Sequence, residues 1–429
     1  MKLLIDSLYL LGIAALAPKI IYRMVRHNRY RAGWPQRLGR ITRKNPARPC
    51  IWIHAVSVGE VNAAKTLIAE LQKQLPRYEI ALSSTTDTGM ARATAVYGGE
   101  LDVFYFPFDL SGIMKRAFKR IRPRICLLME LEVWPNLARI AAKQNIPLVV
   151  VNGRLSDKSF PRYKLVRPMV KSMFAKISLV LAQTEEYAQR FRFLGCPEDK
   201  VIVTSSLKYD TARITERIEG ADKIAAQLNI GNDRLWVAGG TGPGEERIIL
   251  DVFGKLRAEE QFSDLRLAVV PRKPERFDEV AALIERCGFD FARYGAVKDT
   301  DETIEGNPSV ILGDTMGDLR RFYSLANIVF VGRSLVPMGG SDMMEPTAMG
   351  KCTIFGPHTF NFRQTVDALL QANGAIEVTN GEELLTIMRK CLADRDSARS
   401  IAGAGQEVIK QNQGATQRTV DAIIKLLAK

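Results

Sequence analysis

The segment Ile51-Trp-Ile-His-Ala-Val-Ser-Val-Gly-Glu60 holds the first residue whose type and setting suit chemistry. A short apolar run ends in the small-residue turn Ser57-Val58-Gly59, and the Glu60 carboxylate follows where an amphipathic helix begins. In open α/β sheets, ligands bind beyond the carboxyl ends of strands, next to helix N-termini. A carboxylate there can serve as a general base. It can equally do no more than complement the positive helix end. A second pair, Glu130 and Glu132, borders Ile125–Met129, a run apolar enough to be buried. Strand side chains alternate faces, so positions 130 and 132 are expected to point the same way. Two carboxylates at a buried strand end are costly unless paired with a cation or used, and the pattern leaves both open. Lys208, in the turn after Val201–Val203, could offset charge on a leaving group or be a solvated loop lysine.

Four glycine- or cation-rich turns in the second half have the character of ligand loops. Thr241-Gly-Pro-Gly-Glu-Glu246 follows an apolar run and opens a helix, where free N–H groups suit an anion. It matches neither a Walker nor a dinucleotide fingerprint. Pro271-Arg-Lys-Pro-Glu-Arg276 offers three cations for a phosphate or a sugar carboxylate. Gly313-Asp-Thr-Met-Gly-Asp318 repeats the pattern of run, glycine turn and helix start. In Ser334-Leu-Val-Pro-Met-Gly-Gly-Ser-Asp-Met-Met-Glu345 the glycine pair allows close backbone approach to a ligand, and Glu345 is suited to ribose hydroxyls. Phosphate on backbone amides with an acid on ribose is the pattern of a nucleotide-sugar donor site.

These residues need strands to position them, and the sequence supplies the strands. From Cys50 onward, short apolar runs (51–53, 80–82, 103–106, 125–129, 148–151, 179–182, 201–203) alternate with helical patterns. This predicts a parallel sheet covered by helices on both faces. Residues 210–234 are charged, helical in pattern and without a strand. A second series follows at 235–238, 265–270, 310–312, 328–331 and 352–355. At 429 residues, two domains are the expected number. The fold class is therefore α/β, with two Rossmann-like domains facing a cleft. The expected division is 1–32, an N-terminal anchor with its basic flank; 33–212, a first domain; and 213–429, a second domain ending in a helix over Gly405–Lys429.

The composition, 46% apolar and 25% charged, is that of a globular body. Six scattered cysteines without a CxxC pair read as reduced, buried thiols of a cytoplasmic protein. With only three histidines, His27, His54 and His358, no histidine-built metal centre is expected. The net charge of +14 concentrates in the first fifty residues, which hold eleven Lys/Arg against one acid, Asp6. A basic block suits nucleic acid or an anionic membrane. No nucleic-acid motif accompanies it, whereas the apolar Leu8–Ala17 lies directly before it. That segment crosses a bilayer once over Leu3–Tyr22, lies in the interface as an anchor, or is a buried helix. In the membrane readings, the positive flank puts the body on the cytoplasmic side.

The order and spacing of these motifs resemble the 3-deoxy-D-manno-octulosonic acid (Kdo) transferases of lipopolysaccharide biosynthesis over nearly the whole chain. The matching segments include Trp52–Glu60, Ser84–Met90, Tyr105-Phe-Pro-Phe-Asp109, Glu130-Leu-Glu-Val-Trp-Pro-Asn136, Asn152-Gly-Arg154, Lys208-Tyr-Asp210, Gly313–Leu319, Val331–Pro346 and Gly356–Phe362. The resemblance implies a glycosyltransferase-B fold at the cytoplasmic face of a bacterial inner membrane, with anionic lipid as a partner. It implies CMP-Kdo as donor, a lipid A precursor as acceptor, an inverting displacement and no obligatory metal or other cofactor. It casts Glu60 as proton acceptor and Glu130 and Lys208 as transition-state stabilisers. CMP contacts would fall on Pro271 and Arg272, on Met316, Gly317 and Asp318, and on Asp342, Met343, Met344 and Glu345. The chain departs from the family pattern where the family usually has histidine at Gly242, Lys273 and Ser341, asparagine at Asp342, glycine at Arg333 and Gly-Asn at Ser205-Ser206. Those departures keep open a different CMP-activated ulosonic acid, or a non-catalytic membrane-bound lipid-binding relative. A nucleotide-sugar epimerase would share the architecture, but its soluble substrate would need no anchor.

Overall fold

In a computed structural model of the protein, the described residues are 32–428 and scattered positions from Asp6 to Arg26. The expected anchor over residues 1–32 lies largely outside them. Among the described residues, no helix is long and apolar enough to cross a membrane. The chain forms two compact units: one up to Thr211 together with residues from Gln413 onward, the other Ala212–Asn412.

The first unit is built on seven parallel strands: β1 (Cys50–His54), β2 (Glu79–Ser84), β3 (Asp102–Tyr105), β4 (Pro123–Met129), β5 (Leu148–Gly153), β6 (Leu179–Ala182) and β7 (Val201–Val203). Their order is β3-β2-β1-β4-β5-β6-β7. A parallel sheet buries both faces, and here alternation divides the inner strands between two cores. Trp52, Cys126, Leu128 and Val150 enter one; Ile51, Ile53, Leu127 and Val149 enter the other. The buried Trp52 satisfies its indole N–H on Ser83 Oγ at 2.9 Å. The chain runs outward from β1 through β2 to β3, then restarts at β4 on the other side of β1. The loops after β1 and β4 therefore flank the topological switch point, where ligands of such sheets bind.

The second unit repeats the plan with β8 (Arg234–Thr241), β9 (Leu265–Pro271), β10 (Phe291–Arg293), β11 (Val310–Leu312), β12 (Ile328–Val331), β13 (Cys352–Phe355) and β14 (Ile376–Glu377). The order is β10-β11-β9-β8-β12-β13-β14. Its switch point lies between β8 and β12. The edge strands β10 and β14 are additions to the expected set. Neither has a buried residue, so neither writes an apolar run into the sequence.

The C-terminal region departs from the expected division. The helix foreseen over Gly405–Lys429 is broken at Gly414 (φ +85°) into Arg395–Asn412 and Ala415–Leu427. The last helix joins the first unit rather than the second. Asp210 accepts hydrogen bonds from the amides of Gly414 (2.7 Å) and Thr416 and so caps this helix. Ala415, Val420 and Ile423 enter the core of the first unit. Burial of that apolar face, not sequence adjacency, decides the membership.

Candidate functional site

Glu60 opens the helix Val58–Gln74 and is buried, with 9% of its surface exposed. Ser57 caps the helix by accepting from the Glu60 amide at 3.4 Å. Glu60 reaches back, accepting from the Val56 amide and from Ser57 Oγ, both at 2.9 Å. This reciprocal arrangement is a variant of the capping box in which Glu60 accepts from the amide before the N-cap and from the N-cap hydroxyl. Burial pushes the Glu60 carboxyl up to about 7; the Val56 amide opposes the rise, the charge of Glu130 adds to it, Ser57 opposes it and Glu132 adds again. The same carboxylate thus caps a helix and is poised to exchange a proton near neutral pH. His54 does not compete for that role. It stacks on Phe106 with ring centroids 3.8 Å apart, and burial drives its pKa down to about 3.

Glu130 stands directly after β4, across the switch point from Glu60. Its backbone turns into the left-handed region (φ +55°), which is unfavourable for a side chain bearing Cβ and is typical of strain kept at working sites. The turn is held by the Glu130 amide on Val151 O (2.9 Å) and the Arg154 amide on Glu130 O (3.4 Å). The strand has ended at Met129, so the expected shared orientation of Glu130 and Glu132 does not follow from strand alternation. Glu132 accepts from Trp134 Nε1 at 3.2 Å, and burial raises its pKa, with Glu130 adding. Among the described residues, no ion pair reaches Glu60, Glu130 or Glu132. Glu60 therefore feels the charges of Glu130 and Glu132 at one strand-end rim without a neutralising side chain among the described residues.

Lys208 lies on a short 3-10 turn, Leu207–Thr211, packed against the Glu60 helix. The turn is fixed by Asn152 Oδ1, which accepts from the Leu207 amide at 3.1 Å, and by Ser206 Oγ, which accepts from the Lys208 amide at 3.4 Å. Asn152 and Ser205 both adopt positive φ (+55° and +70°). Non-glycine residues in this conformation thus lie at or just after the carboxyl ends of β4, β5 and β7.

In the second unit the loops after β8, β9, β11 and β12 hold the remaining candidates. The Gly242 turn is not an open anion site. Its amide donates to Glu245 at 3.0 Å, and Glu245 also accepts from the amides of Arg333, Ser334 (2.7 Å) and Leu335 (2.9 Å). The anion expected at this helix start is the protein's own, and it ties the β8 and β12 loops together. Arg272 follows β9, and its amide donates to Thr241 O at 3.1 Å. Asp318 is buried, and its carboxylate is committed to Lys298 (2.7 Å), Arg321 and Thr315 (2.7 Å). Asp318 therefore holds its own loop, while Met316, 59% exposed, and Gly317 (φ +94°) present the backbone at the tip. Met343 and Met344 are buried, so the polar groups of the run 342–345 are those of Asp342 and Glu345. Asp342 accepts from the Met344 amide at 2.9 Å.

Burial and the neighbouring Asp342 push Glu345 up to about 7, with Arg320 and Arg272 pulling it back. Arg320 Nε stands 3.7 Å from the Glu345 carboxylate. The fully buried Tyr323 senses Glu345, Asp342 and Arg272, so three separate segments meet here. Neither Tyr323 Oη nor Thr241 Oγ1 has a hydrogen-bond partner among the described residues. Buried hydroxyls left in that state are rare in a self-sufficient core. Sequence reasoning missed Ser57, Glu245, Arg320 and Tyr323. Only Ser57 carried a readable signal, the spacing Ser57-x-x-Glu60.

Two Rossmann-like units with polar residues gathered beyond their strand ends define the class of glycosyltransferase-B enzymes and their epimerase relatives. Solved structures agree on the fold. The UDP-GlcNAc 2-epimerase of Neisseria meningitidis bound to UDP-GlcNAc superposes with a TM-score of 0.56 at 13% identity, covering 88% of this chain and 100% of that one. Anabaena HepE in complex with UDP gives 0.57 at 15% identity, with the same coverages. A sequence model of the 3-deoxy-D-manno-octulosonic-acid transferases (kdotransferases) matches residues 32–211. The 3-deoxy-D-manno-octulosonic acid transferase of Haemophilus influenzae is 36% identical over 402 residues, 93% of this chain and 92% of that protein. The enzyme of the same name from Bordetella pertussis is 33% identical over 97% of this chain and 98% of that protein. The chain belongs to the 3-deoxy-D-manno-octulosonic acid transferase family and is a glycosyltransferase.

Proposed function

We propose that this enzyme moves Kdo from CMP-Kdo to a hydroxyl of a lipid A precursor in a single inverting displacement, with Glu60 as the base. The acceptor hydroxyl gives its proton to Glu60 as its oxygen bonds to the anomeric carbon. The bond from that carbon to the phosphate oxygen breaks, and CMP leaves with the electron pair. Glu130 adds negative charge near the oxocarbenium-like sugar, and Lys208 and Arg272 offset the charge growing on the phosphate. Backbone at Pro271 and at Met316-Gly317, with Asp342 and Glu345, serves the CMP moiety. Asp318 serves it indirectly by fixing the loop, and no obligatory metal takes part.

The observation that carries this reading is Glu60 itself. It is a buried carboxylate beside the switch point, tuned to about 7, in a chain of this transferase family. The test is transfer of labelled Kdo from freshly made CMP-Kdo to a tetra-acylated lipid A precursor, with the intact protein beside Glu60→Gln. Transfer by the first and its loss in the second supports the reading. A folded wild type that transfers nothing removes it in favour of another donor or a binding role.

An acceptor embedded in an anionic inner-membrane leaflet is favoured by the surface of the first unit. The helices Phe160–Leu165 and Arg167–Phe174 expose Leu165 (85%), Val166 and Met169 (70%) beside Arg162, Lys164 and Lys171. Apolar side chains ringed by cations suit an interface between headgroups and acyl chains. The first of these helices follows β5, next to β4, and its Tyr163 senses the charge of Glu132. With the basic N-terminal block, this face fits attachment at the cytoplasmic side of the inner membrane.

A further inference from the structure

The loops that flank the switch point of the second unit, after β8 and after β12, contain a cation that the mechanism above leaves unused. Arg333 stands two residues beyond the end of β12. Its backbone is in the left-handed region (φ +61°), and its amide is fixed on Glu245. The residue before it, Gly332, comes so close to the β8 end that a Cβ there would lie 2.5 Å from Thr241 Cα. The main chain at 333 is therefore set, and so is the direction in which its side chain leaves. That side chain runs over the bare backbone of Gly242. A Cβ added to Gly242 would lie 3.1 Å from Arg333 Cγ and 2.7 Å from Met338 Sδ. Arg333 Nη2 donates to Met338 O at 3.1 Å, which braces the guanidinium. Among the described residues no carboxylate pairs with it. A guanidinium has five N–H donors, so most remain for a ligand.

We propose that Arg333, its stem passing over the bare backbone of Gly242, binds the anionic part of the nucleotide-sugar donor. The inference rests on the donor reading given above. The chemistry is a bidentate guanidinium–oxyanion contact, and the donor offers two such anions, the phosphodiester and the sugar carboxylate. The left-handed backbone and the missing side chain at Gly242 then form one device: strain at 333 aims the cation, and glycine at 242 makes room for it.

The test is Arg333→Gln, with Arg333→Gly as a second variant whose backbone relaxes in the left-handed region. Calorimetric binding of CMP and of cytidine is measured for each, with KM and kcat for CMP-Kdo. Loss of a charged hydrogen bond is expected to weaken the affected step about tenfold or more. Weaker CMP binding with unchanged cytidine binding assigns Arg333 to the phosphate. Unchanged CMP binding with a raised donor KM and an unaltered kcat assigns it to the sugar carboxylate. Variants that match the wild type in CMP affinity and donor KM overturn the proposal while leaving the transferase reading intact. A wild type that neither binds CMP nor uses CMP-Kdo overturns both.

Discussion

Glu60→Gln is expected to abolish transfer and, above neutral pH, to make the first unit more stable. Burial lifts the Glu60 carboxyl from 4.5 to about 7. The native state then holds the proton more tightly than the unfolded chain, so the stability linked to this group is full below pH 4.5. It is lost as pH rises through 7. One pKa unit corresponds to ~1.4 kcal/mol. Ionising Glu60 in place therefore costs about 3 kcal/mol at pH 8, but under 1 kcal/mol at pH 5. Glutamine has no such titration, although its amide N–H meets a donor from Val56 or Ser57 at a fixed cost of ~1 kcal/mol. That fixed cost cancels when two pH values are compared, so the stability of the variant relative to wild type should improve by about 2.5 kcal/mol between pH 5 and pH 8. Urea unfolding followed by tryptophan fluorescence measures it, since Trp34, Trp52 and Trp134 all lie in the first unit. In parallel, wild-type kcat/KM should climb about tenfold per pH unit below 7 and then level, while the variant loses on the order of 10²–10⁴. A stability gap that stays constant with pH would refute burial as the origin of the poised carboxyl. A retained pH limb in the variant would refute Glu60 as the base.

Glu130→Gln removes a charge that raises the Glu60 pKa, so the acidic limb of the kcat/KM profile should move to lower pH; a limb that stays or moves upward contradicts the carboxylate cluster. Glu246→Gln breaks the buried pair with Arg276, bonded at 3.1 Å through Nη2 and more closely through Nη1. It should destabilise the second unit by about 3–5 kcal/mol, read by chemical denaturation of the whole chain. Asp210→Ala uncaps the last helix and should cost about 1–2 kcal/mol in the first unit, seen as faster amide exchange over 415–427. Leu165→Ser with Met169→Ser should reduce sedimentation with phosphatidylglycerol vesicles while leaving CMP affinity unchanged; undiminished sedimentation would remove this face from the membrane contact.

The legible parts of the fold were those that bury long apolar strands. All seven strands of the first unit register in the sequence as apolar runs, the inner ones because a parallel sheet covered on both faces makes each a nearly continuous run, the edge strand β7 through Val201-Ile-Val203 although two of these are exposed. β10 and β14 are short and only partly covered, and they leave no such run. The last helix was legible as a helix, but its membership is decided by burial of Ala415, Val420 and Ile423 in the first core and by a cap from Asp210, some two hundred positions away. In the site, Glu60 was marked by a strand, a small-residue turn and a helix start. The left-handed turn at Glu130 was hidden because left-handed positions are commonly read from glycine or asparagine. Asp318 has the residue type of a ligand contact, yet its oxygens are taken by Lys298, Arg321 and Thr315. Residue type and spacing cannot tell which carboxylates the protein consumes internally.

That distinction separates the work of the two rims. In the second unit two strand-end carboxylates are compensated within the unit, Glu245 by four amides and Asp318 by two cations, whereas Glu345 stays raised to about 7 despite Arg320 and Arg272. Compensated acids hold loops in fixed shapes, and fixed loops would bind the proposed nucleotide donor at little ordering cost. In the first unit Glu130 and Glu132 raise the energy of the Glu60 charge, and Glu130 also that of Glu132. A carboxylate whose ionised form is unfavourable is a stronger base than its ordinary pKa allows. Removing part of that charge, by Glu132→Gln, should therefore lower the Glu60 pKa and blunt catalysis at neutral pH even if the acceptor still binds. A variant that keeps its kcat and its pH limb would show that the uncompensated charge at this rim is incidental to the reaction.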